Sequence, residues 1–229
     1  EEVAEGYLAE LVNRSLLQVV ERNYAGRLKL CRMHDVIRLL ALNKAKEECF
    51  GKVYNCSGTG AFSVEGARRI SVLGGNIEQL SLSGATQLRA LHVFESYIDI
   101  DLLKPILTSS SLLSTLDLQG THIKMLPNEV FDLFNLRYLG LRDTKIESMP
   151  AAVGRLQNLQ VLDAYDSKLT YLPNSVVKLQ KLRYLYAGTS KDSIRGVKVP
   201  KGMQHLAGLW ALQSIRATPE FLREVGALT

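Results

Sequence analysis

The sequence of 229 residues has no long hydrophobic run. Its longest apolar stretch, Val36–Leu42, is interrupted by Arg38 and falls short of the roughly 20 residues that a membrane-spanning helix requires. No basic segment followed by an apolar one precedes the first predicted helix, so we expect neither a transmembrane segment nor a secretory signal. The chain begins with Glu1 rather than Met, and we expect it to be a fragment of a longer protein.

Cysteine and histidine are also scarce. The three cysteines, Cys31, Cys49 and Cys56, contain no C-x-x-C pair, which favours free thiols in a reducing compartment. Their spacing also permits the alternative of a Cys49–Cys56 disulfide. The four histidines are scattered without metal-ligand spacing, so we predict no metal site.

Motifs for catalysis and for phosphate binding are missing from the sequence. It has no G-x-S-x-G motif, no reactive Cys–His grouping and no paired carboxylates, so we predict no catalytic residues and no enzyme activity. A hydrolase built on the N-terminal segment would need a nucleophile that we do not find. Gly51-Lys52 lacks the upstream glycine and the following hydroxyl of a phosphate-binding loop.

Charge is ordinary in amount but uneven in its distribution. The net charge is +5, residues 1–65 carry nine acidic and nine basic side chains, and the whole basic excess therefore lies in residues 66–229. These charges are spread singly, which favours a solvated basic surface over a nucleic-acid patch. We expect no nucleic-acid partner.

A 23-residue repeat is the strongest pattern in the sequence. Four units start at Leu113, Leu136, Leu159 and Leu182, and the next start, Leu209, lies 27 residues on, which implies a four-residue insertion within 191–198. Upstream, one unit starting at Leu88 matches well and one starting at Ala67 matches more weakly, which gives about seven repeats over 67–229. Each L-x-x-L-x-L segment predicts a short strand whose leucines point inward, and stacked units form one parallel sheet. We therefore predict an α/β leucine-rich-repeat solenoid, with a parallel sheet on the concave face and short helices on the convex face.

Two further positions recur in each unit. A hydroxyl residue follows the strand and is expected to bond to the backbone of the turn. A proline then ends the turn and is expected at the first position of a short helix, which its fixed φ suits. The hydroxyl residues are Thr121, Thr144, Ser167 and Ser190, and the prolines are Pro127, Pro150, Pro173 and Pro200.

The first 50 residues do not follow the repeat. Their pattern predicts a helix over 2–13, a hairpin of Leu16–Glu21 and Arg27–Met33 with a turn at Asn23–Gly26, and a helix capped by Asp35 that runs to about Glu48. This order is typical of the C-terminal part of a winged-helix domain, which we place at residues 1–50. A Gly- and Ser-rich connector over 51–66 is expected to lead into the repeats.

Residues between the inward leucines form three outward columns along the sheet. The columns are Ala90, Thr115, Tyr138, Val161, Tyr184 and Ala211; His92, Asp117, Gly140, Asp163, Tyr186 and Gln213; and Phe94, Gln119, Arg142, Tyr165, Gly188 and Ile215. Tyrosines and charges are expected to fall together in a protein-interaction face made of Tyr138, Arg142, Asp163, Tyr165, Tyr184 and Tyr186. Tyrosine with arginine is typical of interface hot spots, whereas the alternative is that strands simply favour aromatic residues.

Met33-His34-Asp35, after the hairpin and at the start of a helix, resembles the Met-His-Asp motif of plant nucleotide-binding leucine-rich-repeat immune receptors. The segments RMHDVIRLLAL and LRYLGLRDTKIESMP are similar to the coiled-coil-type members of that family. The resemblance implies a cytoplasmic receptor that rests with ADP bound and is activated by exchange for ATP. In such a receptor His34 contacts the terminal phosphate of ADP, Asp35 supports the local geometry and Met33 completes the motif.

The resemblance also predicts what the fragment does. We expect a regulatory and recognition segment acting in defence, whose partners are the intramolecular nucleotide-binding domain and a pathogen effector or guarded host protein. ADP or ATP would bind the complete parent protein and not this fragment alone, which has no phosphate-binding loop. Two alternatives stay open: Asp35 is only an N-cap and His34 a turn residue, or the chain is a generic repeat scaffold without nucleotide dependence.

Overall fold

The structure is a computed structural model, and it divides the chain into two compact units, Glu1–Phe50 and Gly51–Thr229. The residues that it describes are 2–22, 26–55, 62–64, 66–74, 80–81, 85–94, 96–189, 196–216, 218–219, 221 and 223.

The first unit has the predicted helix–hairpin–helix order. Its elements are α1 (Glu2–Asn13), β1 (Leu17–Arg22), β2 (Leu28–Met33) and α2 (Asp35–Glu47). The two strands pair antiparallel from Leu17 opposite Met33 to Arg22 opposite Leu28. Residues 23–25 of the predicted turn Asn23–Gly26 lie outside the described residues.

The second unit contains an eight-stranded sheet in which each strand pairs in parallel with its neighbours. Its strands are β3 (Lys52–Tyr54), β5 (Arg69–Val72), β7 (Ala90–Val93), β8 (Thr115–Asp117), β9 (Tyr138–Gly140), β10 (Val161–Tyr165), β11 (Tyr184–Gly188) and β12 (Ala211–Gln213). A separate short pair joins β4 (Phe62–Ser63) to β6 (Leu80–Ser81). The solenoid fold is confirmed.

The start of the predicted connector needs a correction. β3 lies in that range and pairs in parallel with β5, Lys52 opposite Ile70 and Tyr54 opposite Val72. Tyr54 is buried although its strand precedes the first recognisable repeat, because the sheet extends one strand beyond the leucine pattern. At this end of the core, the aromatic side chain of Tyr54 occupies the inward position that aliphatic side chains occupy in the following strands.

The inward leucines lie side by side as predicted. Leu116 is opposite Leu139, and Leu139 is opposite Leu162, and all three are fully buried. Because neighbouring strands are only about 4.8 Å apart, each leucine packs directly on those of the adjacent repeats. The core is therefore one continuous stack along the sheet.

The segments opposite the sheet are 3₁₀ helices in most repeats, which corrects the predicted role of the prolines. Pro127, Pro150 and Pro173 are extended N-cap residues with φ near −70° (−68°, −72° and −69°) rather than first helical residues. A 23-residue period leaves five residues per unit for the helix, and the tighter 3₁₀ turn suits such short segments. The 3₁₀ helices are Ala85–Gln87, Ile100–Leu103, Asn128–Asp132, Ala151–Arg155, Asn174–Lys178 and Met203–His205, and the unit also contains the α-helix α3 (Lys104–Ser109).

The hydroxyl residue after each strand bonds to its own turn, as expected. Thr121 donates to the carbonyl of Leu118 and Thr144 to that of Leu141, each at 2.7 Å, and both threonines are buried. Ser167 donates to Ala164 at the same distance. Ser190 and most of the predicted insertion, 191–195, lie outside the described residues.

Candidate functional site

The outward columns form one face of the sheet, which we call the strand face. The observed register puts Tyr138 opposite Val161 and Val161 opposite Tyr184 in the first column, and Gly140 opposite Asp163 and Asp163 opposite Tyr186 in the second. Backbone hydrogen bonds between repeats continue past the strand ends, where the Gly120 amide donates to the carbonyl of the third-column residue Arg142 at 2.8 Å. The six predicted interaction residues are therefore brought together on β9, β10, β11 and the turn after β9.

Arg142 is the centre of these contacts. Its Nε and Nη2 donate to Oδ2 of Asp163 at 3.0 and 2.9 Å, and its guanidinium carbon lies 4.9 Å from the centre of the Tyr165 ring. Asp163 is buried, so its carboxylate depends on this pair and on the Tyr165 amide, which donates to Oδ1 at 3.2 Å. The arginine thus combines an ion pair with a cation–π contact.

A second aromatic group lies on β11 and extends past it. The rings of Tyr184 and Tyr186 are 6.2 Å apart, and Trp210 meets Tyr184 edge-on at 5.9 Å. Arg183 lies over the Trp210 ring at 4.9 Å. Sequence reasoning missed Trp210 because it stands one residue before β12, outside the alternating positions, although it is strongly exposed. Its aromatic side chain at an otherwise polar position was the available signal.

Tyr138 is a strand-face residue whose pKa is distinctly shifted. Burial, followed by the negative charges of Asp117 and Asp163, raises the pKa of Tyr138 to about 12, while Arg142 opposes the shift. The neutral phenol is therefore strongly favoured in the folded protein. Burial is the largest cause, and the two carboxylates act in the same direction.

We expect Tyr138 to make folding pH-dependent at the alkaline end. Because its pKa is raised in the folded state, its stabilising contribution is complete below the ordinary value of 10.0 and is lost as the pH rises toward about 12. Ultraviolet titration of the phenolate should show a late phase that Tyr138→Phe removes and that Tyr97→Phe, at a highly exposed position, leaves in place. A late phase unchanged in Tyr138→Phe would contradict this assignment.

The Met33-His34-Asp35 segment joins β2 to α2. Met33 is half-buried at the end of β2, and His34 and Asp35 are exposed. The N-cap is His34 with extended backbone (φ −63°, ψ 143°), and Asp35 is the first helical residue, which corrects the prediction that Asp35 caps the helix. The capping position goes to His34 because its carbonyl accepts the first helical hydrogen bond, from the Arg38 amide at 2.8 Å.

The helix does not use the side chain of His34 for capping. The imidazole of His34 makes no capping hydrogen bond within α2, all of whose residues the structure describes. Asp35 forms an exposed ion pair with Arg38 at 3.8 Å, one turn along the helix. The arrangement leaves an exposed imidazole next to the unpaired amides of a helix N-terminus, where anions are favoured.

The first unit positions these residues through local structure alone. Among its residues whose side chains the structure describes, every one is at least partly exposed. Val36, Leu39 and Leu40 of α2 are each more than half exposed. His34 is therefore held by the β1–β2 ladder and by α2 rather than by a closed core.

Other site types find no support in the described part of the chain. No group of three or more His, Cys, Asp or Glu side chains could hold a metal ion there. Within the same residues, no helix is both long and apolar enough to cross a membrane. Cys31 is half-buried and Cys49 exposed, and both are free thiols.

Comparison with protein families matches both units. Residues 87–229 match the leucine-rich repeat region, and residues 1–41 match the disease resistance protein winged helix domain. Disease susceptibility protein LOV1 of Arabidopsis thaliana is 34% identical over 146 residues, covering 59% of this chain and 16% of that protein. Disease resistance protein RPM1 of Arabidopsis thaliana is 38% identical over 143 residues, covering 59% of this chain and 15% of that protein. The chain thus spans a small part of these relatives.

Solved structures agree on the fold. An internalin (inlF) from Listeria monocytogenes superposes with a TM-score of 0.58 at 17% identity, covering 77% of this chain and 52% of that one. The leucine-rich-repeat ectodomain of the plant membrane receptor kinase GASSHO1/SCHENGEN3 from Arabidopsis thaliana gives 0.52 at 18% identity, covering 71% and 19%. At these identities the likeness supports the solenoid architecture and nothing finer.

Proposed function

The chain belongs to the leucine-rich-repeat family of disease-resistance proteins, and from this we propose that it is the regulatory and recognition segment of a plant intracellular immune receptor. In this proposal the repeats bind protein and the winged-helix part takes part in a nucleotide switch. The segment acts by binding and by conformational change, without catalysis, and the complete receptor works in the cytoplasm.

The observation that carries the proposal is the strand face. Aromatic and charged side chains occupy adjacent rungs of a rigid sheet, a combination that supplies large contact area with polar tips. Solenoids use the exposed strand surface in this way. The proposed partners are a pathogen effector or a guarded host protein, and the nucleotide-binding domain of the same polypeptide in the resting state.

The switch rests on Met33, His34 and Asp35. The residues fit part of a phosphate site, because His34 is exposed, its imidazole is not used in capping, and it adjoins the N-terminus of α2. ADP or ATP would be held mainly by the nucleotide-binding domain of the complete protein. His34 would donate to the terminal phosphate of ADP, while Met33 anchors the segment on β2 and Asp35 maintains the start of α2.

Such a contact stabilises one state more than the other. A hydrogen bond between His34 and ADP that is absent in the ATP state favours the resting conformation by its own free energy. A charge-assisted bond contributes about 1.5–3 kcal/mol, which changes the ratio of the two states by roughly tenfold or more.

We expect Asp35→Val in the complete receptor to give signalling without a pathogen. Loss of the carboxylate removes the ion pair with Arg38 and disturbs the start of the helix that orients His34. Cell-death signalling and the bound ADP fraction of the purified receptor are the measurements, and the ADP fraction should fall roughly tenfold relative to ATP.

The matched control is Glu47→Val, which removes an exposed acid at the other end of α2, where it pairs with Lys44 at 3.2 Å. This variant should keep the resting state. Unchanged resting behaviour of Asp35→Val would contradict the switch. A complete protein that binds no nucleotide would favour the generic repeat scaffold instead.

A further inference from the structure

Two strands of the strand face hold an aspartate in the same local geometry, but within the described part of the chain only one of these aspartates is paired with an arginine. Asp163 on β10 and Asp117 on β8 occupy the same column, two strands apart with Gly140 between them. Oδ1 of each accepts a hydrogen bond at 3.2 Å from the backbone amide two residues later. The two carboxylates are thus held in the same way, and each leaves its Oδ2 for another partner.

The partner of Oδ2 differs between the two rungs. Oδ2 of Asp163 accepts hydrogen bonds from Arg142, which lies in the third column one strand earlier. The equivalent third-column position before Asp117 holds Phe94, an exposed aromatic side chain without charge. Among the described residues, the basic side chain that lies near Oδ2 of Asp117 is the imidazole of His92, whose Nδ1 is 3.7 Å away, beyond hydrogen-bonding distance. A carboxylate that is 17% exposed therefore lacks the arginine that its counterpart has.

The aromatic ring of Tyr138 lies close to the Asp117 carboxylate. A Cβ added at Gly140 would overlap the Asp117 carboxylate and lie 2.8 Å from Cε1 of Tyr138. The missing side chain thus lets the carboxylate and the tyrosine ring lie close together above the same Cα. On the completed rung, Arg142 uses the same two kinds of group, a carboxylate and a tyrosine ring.

Charge on the strand face points to a cationic partner. The chain has 28 Lys and Arg residues, yet the 18 positions of the three columns contain only Arg142 among them, and that arginine is already paired. Burial, followed by the charges of Asp117 and Asp163, raises the pKa of Tyr138 to about 12 against the opposing charge of Arg142, so both carboxylates act on this hydroxyl. Cations are favoured here although the whole chain is basic.

We propose that Asp117 and Tyr138 form a subsite for an arginine side chain of a partner protein. The guanidinium pairs with Oδ2 of Asp117 and stacks on the Tyr138 ring, as Arg142 pairs with Asp163 and stacks on Tyr165. Arginine fits better than lysine because its planar group serves a carboxylate and an aromatic face at once. This inference rests on the proposed function of the strand face as a protein-binding surface.

The test uses the full chain and a library of short random peptides. Peptides are selected on the wild-type chain, and the strongest are synthesised with arginine or with citrulline, its neutral isostere. Arginine should be enriched at one position, and both Asp117→Asn and citrulline should weaken binding about tenfold, with no further loss when combined. Phe94→Arg should weaken binding similarly, because it supplies an internal arginine at the position equivalent to Arg142.

Controls separate this inference from the function on which it rests. Asp101→Asn removes an exposed carboxylate elsewhere in the unit and should leave peptide affinity unchanged. Peptides that depend on Tyr184 and Tyr186 but not on Asp117, or that carry lysine or no cation, overturn the arginine subsite and leave the strand face intact. A library without any peptide sensitive to these positions overturns both.

Discussion

Leu139→Ala should lower the free energy of unfolding of the full chain by about 2–5 kcal/mol, the range measured for leucine truncation in close-packed cores. Leu139 is fully buried and lies opposite Leu116 on one side and Leu162 on the other. The cavity opens in the middle of the stack, where both neighbouring repeats are held in place by their own strands and cannot collapse into it. Urea unfolding followed by circular dichroism measures the change.

Leu112→Ala is the matched control for this substitution. The same side chain is removed from a position that is 45% exposed, so the loss should stay below about 1 kcal/mol. Equal effects at Leu112 and Leu139 would contradict a continuous leucine core through the repeats.

Gly188→Ala should destabilise the chain by roughly 2–5 kcal/mol through two separate effects. The residue has φ +89°, a left-handed conformation that L side chains rarely adopt. A Cβ at this position would also overlap the carbonyl of Ser214 in the next repeat and lie 2.7 Å from its Cβ. Since the obstacle includes backbone, the repeats must move apart to admit the methyl group.

Gly208→Ala tests whether this effect depends on the site. Its added Cβ would meet only ordinary contacts, the nearest being the Gln180 carbonyl at 3.7 Å. We expect a change within about 0.5 kcal/mol, measured by the same urea titration. If the two alanine variants unfold alike, close approach of the last two repeats at Gly188 is ruled out.

The register of the sheet could be derived from the spacing of the leucines. A strand alternates its side chains with a period of two, so the assignment of Leu139 and Leu162 to the inside also assigned Tyr138, Asp163 and Tyr184 to the outside. Stacking at a constant 23 residues then aligned these positions between repeats. The grouping of tyrosines on the strand face follows from the two-residue alternation within strands and the 23-residue spacing between them.

Pairwise contacts within the face could not be derived in this way. The column pattern put Arg142 near Asp163, but the pairing depends on the Arg142 side chain reaching from the third column to the second column of the adjacent strand. The same limit concealed the incomplete counterpart at Asp117, since the columns put Phe94 and Arg142 at equivalent positions without showing that Arg142 pairs with Asp163.

Leucine periodicity thus predicted the architecture of the repeats and their inward and outward faces, while helical spacing and turn residues predicted the helix–hairpin–helix order of the first unit. Each of these depends on residues close in sequence. The additional strand β3, the N-cap positions of His34 and Pro127, and the contacts of Arg142 and Trp210 required the folded chain. They depend on distances between groups in different turns and repeats, which packing sets and residue spacing does not encode.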